Sequence, residues 1–368
     1  MPTVNLQLLK RVLLRVLFAS LGLLLALLFA EAVCKLADLR DARQNRKVAD
    51  RISRPSRIPD VRYELIPGAS GLTPGQSEVV RVNRLGFRGP EVEAVKPPNT
   101  YRIAVLGDSI GFGRTLKEEE VFPHLLPRLL AKQAPSRNYE VINASLSGRD
   151  TWEEVAVLEH RLLDLNPDLV IIQVCLNDHI RLPSADPSGR RGVFGEEAWY
   201  QYSSLLALLD KRLPDFRKLH VRWAKALGFD MRTPNDVLKD YALDLRHIMD
   251  VEAHWVPWSR EFLRASELCR KSGVQLLIAV FPLAVQIQRE EQHSVPQLIE
   301  LGRTHDIVVV DLIDAYRPHG PGVLMDYTHP NRRGHEIAAG YLADFITRRF
   351  LQPEKKTGLP DDGKADRS

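Results

Sequence analysis

Five short apolar runs alternate with longer segments of helical spacing between residues 98 and 350. The runs are apolar almost throughout, which is typical of parallel strands covered on both faces. The predicted strands are Arg102–Leu106, Tyr139–Ile142, Leu169–Cys175, Val274–Phe281 and Ile307–Leu312. Strands that are separated by helices predict an α/β protein with a doubly wound parallel sheet.

Apolar positions recur every three or four residues between these runs, and this spacing predicts helices. The predicted helices are Glu118–Gln133, Trp152–Leu165, Ser259–Ser272, Val285–His305 (mostly helical) and Gly334–Phe350. Residues 180–257 interrupt the alternation with helical stretches and turn signals, so we expect a helical insertion after the third strand. Residues 351–368 are highly charged and predict a disordered tail.

The N-terminal segment is far more apolar than the rest of the chain. Only Arg15 interrupts the apolar and small residues from Val12 to Ala30. A helix of this length spans the hydrocarbon core of a bilayer at about 1.5 Å per residue, so residues 1–35 are predicted to form a membrane anchor. Ala30-Glu31-Ala32 has the form of a signal-peptide cleavage site, so a cleaved signal is an alternative, as is a buried apolar helix.

Basic residues flank the apolar segment on both sides, so their distribution does not define its orientation. A large domain that follows an N-terminal span is most often exported, and we expect the same here. Residues 36–97 lack sustained apolar periodicity and contain turn signals such as Pro67-Gly68. They are predicted to form a juxtamembrane linker and an irregular arm before the main domain at 98–350.

The composition excludes several classes of protein. Among 368 residues, 44% are hydrophobic and 27% are charged, which is unlike collagen or a disordered chain. The net charge of +4 gives no indication of nucleic-acid binding. Cys34, Cys175 and Cys269 lie far apart without metal-ligand spacing, and Gly334-His335-Glu336 lacks the second histidine of a zinc motif. We expect no metal and no cofactor.

Polar residues follow successive predicted strands. Ser109 follows the first strand, Gly148 the second and Asn177 the third, whereas Asp326 and His329 lie between the fifth strand and the last helix. Because the carboxyl ends of parallel strands meet at one edge of a sheet, these residues are expected to lie close together.

This set of residue types is the one that acyl transfer requires. His329 can take the proton of the Ser109 hydroxyl, and Asp326 can hold the imidazole in the required tautomer. The amides of Ser109 and Gly148 and the side-chain amide of Asn177 can donate to an oxyanion. Each residue taken alone is compatible with an ordinary cap or turn, but the combination favours catalysis.

These blocks, in this order, resemble the SGNH/GDSL hydrolase superfamily over residues 98–350. The resemblance implies a three-layer α/β/α flavodoxin-like fold and a cofactor-independent serine esterase. It implies that Ser109 is the nucleophile and first oxyanion donor, that Gly148 and Asn177 are the other donors, and that Asp326 and His329 complete the triad. Residues 83–89 also resemble a segment of exported members.

One position departs from the family pattern. Cys175 stands where a glycine is common, and it is expected to narrow the pocket without removing a catalytic group. Arg114 and Arg149 are candidates for contact with substrate because they lie beside the catalytic blocks.

The sequence leaves several functions open. The substrate is expected to be an ester that carries a small acyl group on a carbohydrate or envelope component. An O-acyltransferase would use the same residues, and a non-catalytic binding module would use the cleft or the insertion. The Gly107-x-Ser109-x-Gly111 motif also fits the nucleophile elbow of α/β-hydrolases, but there the acid lies well before the histidine.

Overall fold

A computed structural model describes residues 6–49, 52–72, 78–113, 115–179, 205, 208–209, 255–289 and 292–352. The chain divides into two units, residues 1–47 with 186–238 and residues 48–185 with 239–368. Apart from residues 205 and 208–209, which are helical, the predicted insertion lies outside the described residues, as does the predicted tail after residue 352.

Helix α1 comprises Leu6–Ala49 and contains a candidate membrane span, Lys10–Ala37, with a mean hydropathy of 2.6. A signal sequence meets the same criterion of length and composition. The helix continues 14 residues into the segment that was predicted to be an irregular linker. Residues 36–49 contain neither Pro nor Gly and are rich in Ala, Leu and Arg, so helix propensity is sufficient although an apolar stripe is lacking.

Two small antiparallel ribbons follow and form the arm of the second unit. In the first ribbon, β1 (Ser53–Pro55) pairs with β2 (Tyr63–Leu65). In the second, β3 (Ser70–Gly71) pairs with β4 (Val80–Arg81). Val80 and Leu65 are buried in a small apolar cluster of their own, so the arm is anchored by apolar contacts as well as by strand pairing.

The main sheet has five parallel strands, β5 (Thr100–Leu106), β6 (Asn138–Asn143), β7 (Leu169–Cys175), β8 (Gln275–Phe281) and β9 (Val308–Asp311). Their order across the sheet is β6-β5-β7-β8-β9. Every residue of β7 is buried, as expected for a central strand covered on both faces. The predicted α/β fold with a parallel sheet is confirmed.

Helices cover both faces of this sheet. The α-helices among the described residues of this unit are α2 (Ser109–Phe112), α3 (Phe122–Gln133), α4 (Thr151–Val157), α5 (Val256–Lys271), α6 (Ala284–Gln288), α7 (Pro296–His305), α8 (Ile313–Tyr316) and α9 (Arg332–Ile346). Helix α3 packs against α9, and α4 packs against α5, which contacts α7. The segment predicted as one mostly helical stretch forms two helices, α6 and α7, because Pro296 begins a new helix at its first position.

Candidate active site

Ser109 lies where β5 ends and the short helix α2 begins. The Asp108 side chain caps this helix and accepts a hydrogen bond of 2.8 Å from the amide of Ile110. The helix ends at Gly113, whose φ of 76° places it in the left-handed region that glycine adopts without strain. The turn therefore presents Ser109 at the carboxyl edge of the sheet.

His329 and Asp326 lie in the loop that precedes α9, and they form a hydrogen-bonded chain with Ser109. Ser109 Oγ is 2.8 Å from His329 Nε2, and His329 Nδ1 is 2.7 Å from Asp326 Oδ2. The other Asp326 oxygen accepts the amide hydrogens of His329 and Thr328 at 2.8 and 2.9 Å. With Nδ1–H donating to the carboxylate, Nε2 is left to accept the serine proton.

The Asp326 carboxylate is kept ionised by the groups around it. Partial burial alone would raise its pKa, but the hydrogen bonds from the His329 side chain and from two backbone amides outweigh this effect and lower the pKa to about 2. A permanently ionised carboxylate stabilises the positive charge that the imidazole acquires when it takes a proton.

Cys175 does not narrow an open pocket in the structure. Its side chain is fully buried, and Sγ lies 3.0 Å from the Thr328 hydroxyl. Because Thr328 directly precedes His329, the cysteine supports the loop that carries the histidine. The expected narrowing was wrong because the side chain faces this loop.

Gly148 lies in the loop between β6 and α4 with a φ of 78°. A Cβ built at this residue would meet no atom of the described residues within 4 Å, and the positive φ is what favours glycine here. Within the described part of the chain, the amides of Ser109 and Gly148 donate to no other group. Both amides are thus available to an oxyanion.

Asn177 lies in a short 3₁₀ helix, Leu176–His179, directly after β7. The buried Asp178 carboxylate accepts a hydrogen bond of 2.6 Å from the Cys175 amide, which closes this turn. The backbone of Asn177 is therefore at the carboxyl edge of the central strand, but its side chain lies outside the described part of the structure.

Several carboxyl groups are buried close to these loops. Burial raises the pKa of Asp108, and burial together with neighbouring carboxylates raises the pKa of Asp178 and of Glu154 well above the usual range. Among the described residues, no group of three or more His, Cys, Asp or Glu side chains has the geometry of a metal site.

The two arginines singled out from the sequence have different outcomes. Arg149 is buried, and its guanidinium donates to the backbone carbonyl of Ala144 at 2.5 Å. It therefore braces its own loop, and the expectation that it contacts substrate was wrong. Arg114 lies outside the described residues.

Sequence reasoning missed two polar residues that hold the site loops. Gln173 Oε1 accepts hydrogen bonds from the Asp108 and Gly111 amides, at 3.2 and 2.9 Å. Arg62 in the arm donates to the carbonyl of Gly148 at 2.5 Å. A lone glutamine within an otherwise apolar strand was a signal for the first contact, whereas nothing in the local sequence signals the second.

The comparisons with known proteins point to one protein family. A family model described as the GDSL-like lipase/acylhydrolase family matches residues 105–337. An arylesterase from Vibrio mimicus is 38% identical over 80 residues, which are 22% of this chain and 39% of that protein. The chain thus spans well under half the length of this curated relative.

Solved structures with a similar arrangement are distant in sequence. A mutant of Axe2, an acetyl-xylooligosaccharide esterase from a Geobacillus species, is 16% identical with a TM-score of 0.41, covering 68% of this chain and 95% of its own. TesA is 14% identical with a TM-score of 0.41, covering 67% of this chain and 98% of its own.

Proposed function

Since this chain belongs to the GDSL-like lipase/acylhydrolase family, a family of ester-hydrolysing enzymes, we propose that it is a serine esterase in which Ser109, His329 and Asp326 form the catalytic triad. The hydrogen-bonded chain from Ser109 Oγ to the Asp326 carboxylate carries this proposal. In this arrangement the base can take the proton of the attacking oxygen, and the carboxylate orients the base and stabilises the positive charge that the base then carries.

The first half of the reaction acylates the enzyme. Ser109 Oγ attacks the ester carbonyl carbon while His329 Nε2 takes the hydroxyl proton, and the carbonyl π electrons move to the oxygen. The amides of Ser109 and Gly148 and the Asn177 side chain donate to this oxyanion. When the tetrahedral intermediate collapses, the bond to the alcohol oxygen breaks and His329 returns the proton to the leaving alcohol.

The second half releases the acid. A water molecule attacks the acyl-Ser109 carbonyl and gives a proton to His329 Nε2, and the same donors hold the second oxyanion. The bond to Ser109 Oγ then breaks, and the proton returns from His329 to the serine. The enzyme is regenerated, and no metal or cofactor takes part in the proposed sequence.

We further propose that the enzyme is held at a membrane by α1, with its catalytic unit outside the cytoplasm. The apolar side chains of this helix are exposed, as they would be in contact with lipid. An esterase held at this surface would meet envelope components first. We therefore propose a small acyl ester on an envelope carbohydrate as the substrate.

The proposal is tested with the full-length protein in detergent. Release of free acid is measured from p-nitrophenyl esters with acyl chains from acetyl to palmitoyl, and from O-acetylated polysaccharides with and without a sugar acceptor. A fluorophosphonate probe is used in parallel to label the nucleophile. We expect acetyl ester hydrolysis and labelling of wild type, and loss of both in Ser109→Ala.

Ser136→Ala is the matched control because Ser136 is exposed on the loop between α3 and β6. It should hydrolyse and label as wild type does. Undiminished hydrolysis by Ser109→Ala would overturn the triad. Product that depends on a sugar acceptor, without free acid, would replace esterase by acyltransferase. A folded wild-type protein without turnover or labelling would favour a binding module.

A further inference from the structure

A side chain of the arm reaches the loop that carries Gly148. Arg62 is the residue before β2, and its Nη2 donates a hydrogen bond of 2.5 Å to the backbone carbonyl of Gly148. The two residues are 86 positions apart in the chain, so the contact forms only when the arm packs against the loop between β6 and α4.

The guanidinium of Arg62 is held in place by Glu153 in the first turn of α4. Nη2 and Nε of Arg62 donate to the two carboxylate oxygens of Glu153 at 2.6 and 3.0 Å, and the Arg62 amide donates to the same group at 2.7 Å. The Glu153 side chain is 6% exposed and that of Arg62 is 19% exposed. A largely buried guanidinium that donates two hydrogen bonds to one carboxylate is fixed in one orientation, unlike the side chains of an exposed ion pair.

The loop at Gly148 has few other restraints at that residue. Gly148 is exposed, and no atom of the described residues lies within 4 Å of the position of a Cβ, so packing by this part of the chain does not fix its backbone. Arg149 braces the neighbouring residues by donating to Ala144 and, at 3.4 Å, to the Tyr63 carbonyl of the arm. The bond from Arg62 is thus the contact that acts on Gly148 itself.

We propose that Arg62 is a positioning residue of the oxyanion hole, acting through the carbonyl of Gly148 to aim the amide of Gly148. This inference rests on the proposed function, in which that amide is an oxyanion donor. A donor that is aimed in advance costs no reorganisation when the charge develops. The arm between α1 and the sheet accordingly contributes one residue, Arg62, that supports the oxyanion hole without touching substrate.

Arg54 provides the matched control. Its Nε and Nη2 both lie 2.7 Å from Glu64 Oε1, so it forms an arginine–carboxylate pair across the same ribbon. Its partner Glu64 belongs to the arm itself, so Arg54→Met removes an ion pair of the arm while leaving the contact with Gly148 in place. The two variants separate the stability of the arm from the position of Gly148.

The experiment compares Arg62→Met, Arg62→Lys and Arg54→Met with wild type in the full-length enzyme. For each protein, kcat, KM and the melting temperature are measured with an acetyl ester. The inhibition constant of phenylboronic acid is measured as well, because its tetrahedral serine adduct places an anionic oxygen where the oxyanion forms. Small displacements of catalytic groups cost up to about 100-fold in rate.

We expect Arg62→Met to lower kcat by about 10- to 100-fold with KM within about twofold, since the donor acts on charge absent from bound substrate. Its affinity for the boronate should fall by the same factor as kcat/KM. Arg62→Lys keeps the positive charge but loses the paired hydrogen bonds of the guanidinium. Its kcat and boronate affinity should therefore lie between those of Arg62→Met and wild type. Arg54→Met should keep wild-type kcat and boronate affinity.

Two results would overturn the inference while leaving the proposed function intact. One is an Arg62→Met enzyme with kcat within twofold of wild type. The other is an equal loss in Arg54→Met, which would assign the effect to folding of the arm. If Arg62→Met does not fold, unchanged kcat and boronate affinity in folded Arg62→Lys would count equally against it. Failure of the proposed function itself appears elsewhere, as retained hydrolysis in Ser109→Ala.

Discussion

The side chain of Gln173 holds the turn that carries Ser109, through a hydrogen bond of 2.9 Å from the amide of Gly111 to its Oε1. Gln173 lies in β7 and is fully buried, and the same oxygen accepts the Asp108 amide at 3.2 Å. A Cβ on Gly107 would approach this oxygen to 2.4 Å, so the strand and the turn are in close contact. The buried side-chain oxygen thus satisfies two backbone donors that strand pairing leaves free.

Replacing Gln173 by Leu should therefore damage both stability and rate. The change leaves two buried amides without an acceptor, which costs about 1–3 kcal/mol for each unsatisfied group, and it releases the turn that aims Ser109. Urea unfolding and kcat on an acetyl ester measure the two effects. Ile172→Val, one residue earlier in β7, should cost about 1 kcal/mol with kcat unchanged. Wild-type stability and rate in Gln173→Leu would show that the contact is dispensable.

The sheet could be predicted because its strands are buried on both faces. The predicted strand Leu169–Cys175 is observed with the same bounds. Its ends could be predicted because this largely apolar run begins after Pro167-Asp168 and stops at a polar turn. The end of α1 could not be predicted in this way. Its last residues have helix propensity but no apolar stripe. The spacing of apolar residues therefore gives no signal for this part of the helix.

Some residues of the candidate site could likewise be predicted from the sequence, whereas others could not. Ser109, Asp326 and His329 could be singled out because the ends of parallel strands meet at one edge, and residue type then suggests the chemistry. Arg62 could not, because its contact with Gly148 joins positions 86 residues apart. Arg149 was a candidate for substrate contact because it is adjacent in sequence to Gly148. Its side chain instead points inward and donates to a backbone carbonyl, so proximity in sequence did not indicate its contacts.

Asn177 provides a test of the proposed oxyanion hole that is independent of the arm. If its side-chain amide donates to the oxyanion, Asn177→Ala should lower kcat by roughly 10²–10³, about 3–4 kcal/mol of transition-state stabilisation. KM should change little, and Asn177→Asp should be at least as damaging because a carboxylate repels the oxyanion. Kinetics and thermal unfolding are measured on both variants, with Asn138→Ala at the exposed start of β6 as control. A folded Asn177→Ala enzyme with wild-type kcat would remove this residue from the site.

The membrane anchor makes a separate prediction. If Val12–Ala30 spans a bilayer, the full-length protein should remain in the membrane fraction after high-salt and carbonate washes, since its attachment is apolar burial. Leu24→Arg should weaken retention, because an arginine at the centre of a span costs about 2.5–3.5 kcal/mol. Leu39→Arg, beyond the candidate span, should not. Mass spectrometry that finds a mature N-terminus after Ala32 would establish a cleaved signal instead.

Asp326 predicts how stability depends on pH. Its pKa in the folded state is about 2, below the usual 3.8, chiefly because hydrogen bonds from His329 and two amides outweigh partial burial. A carboxyl whose pKa is depressed by folding stabilises the protein above its unfolded pKa, and the contribution is lost as pH falls from about 4 to about 2. Since the side chain is 44% exposed, solvent screens this contribution and keeps it modest.

The difference in free energy of unfolding between wild type and Asp326→Asn should therefore be constant from pH 7 to about pH 5, and should shrink towards zero near pH 2. Urea unfolding at a series of pH values measures it. Asp314→Asn is the matched control, because Asp314 pairs with Arg317 at the same spacing but is 66% exposed. It should change stability little at any pH. At pH 7, Asp326→Asn should also lower kcat by roughly 10⁴, because the imidazole loses the tautomer that accepts the serine proton. A difference in stability that persists unchanged at pH 2 would show that the carboxylate charge is not what stabilises this loop.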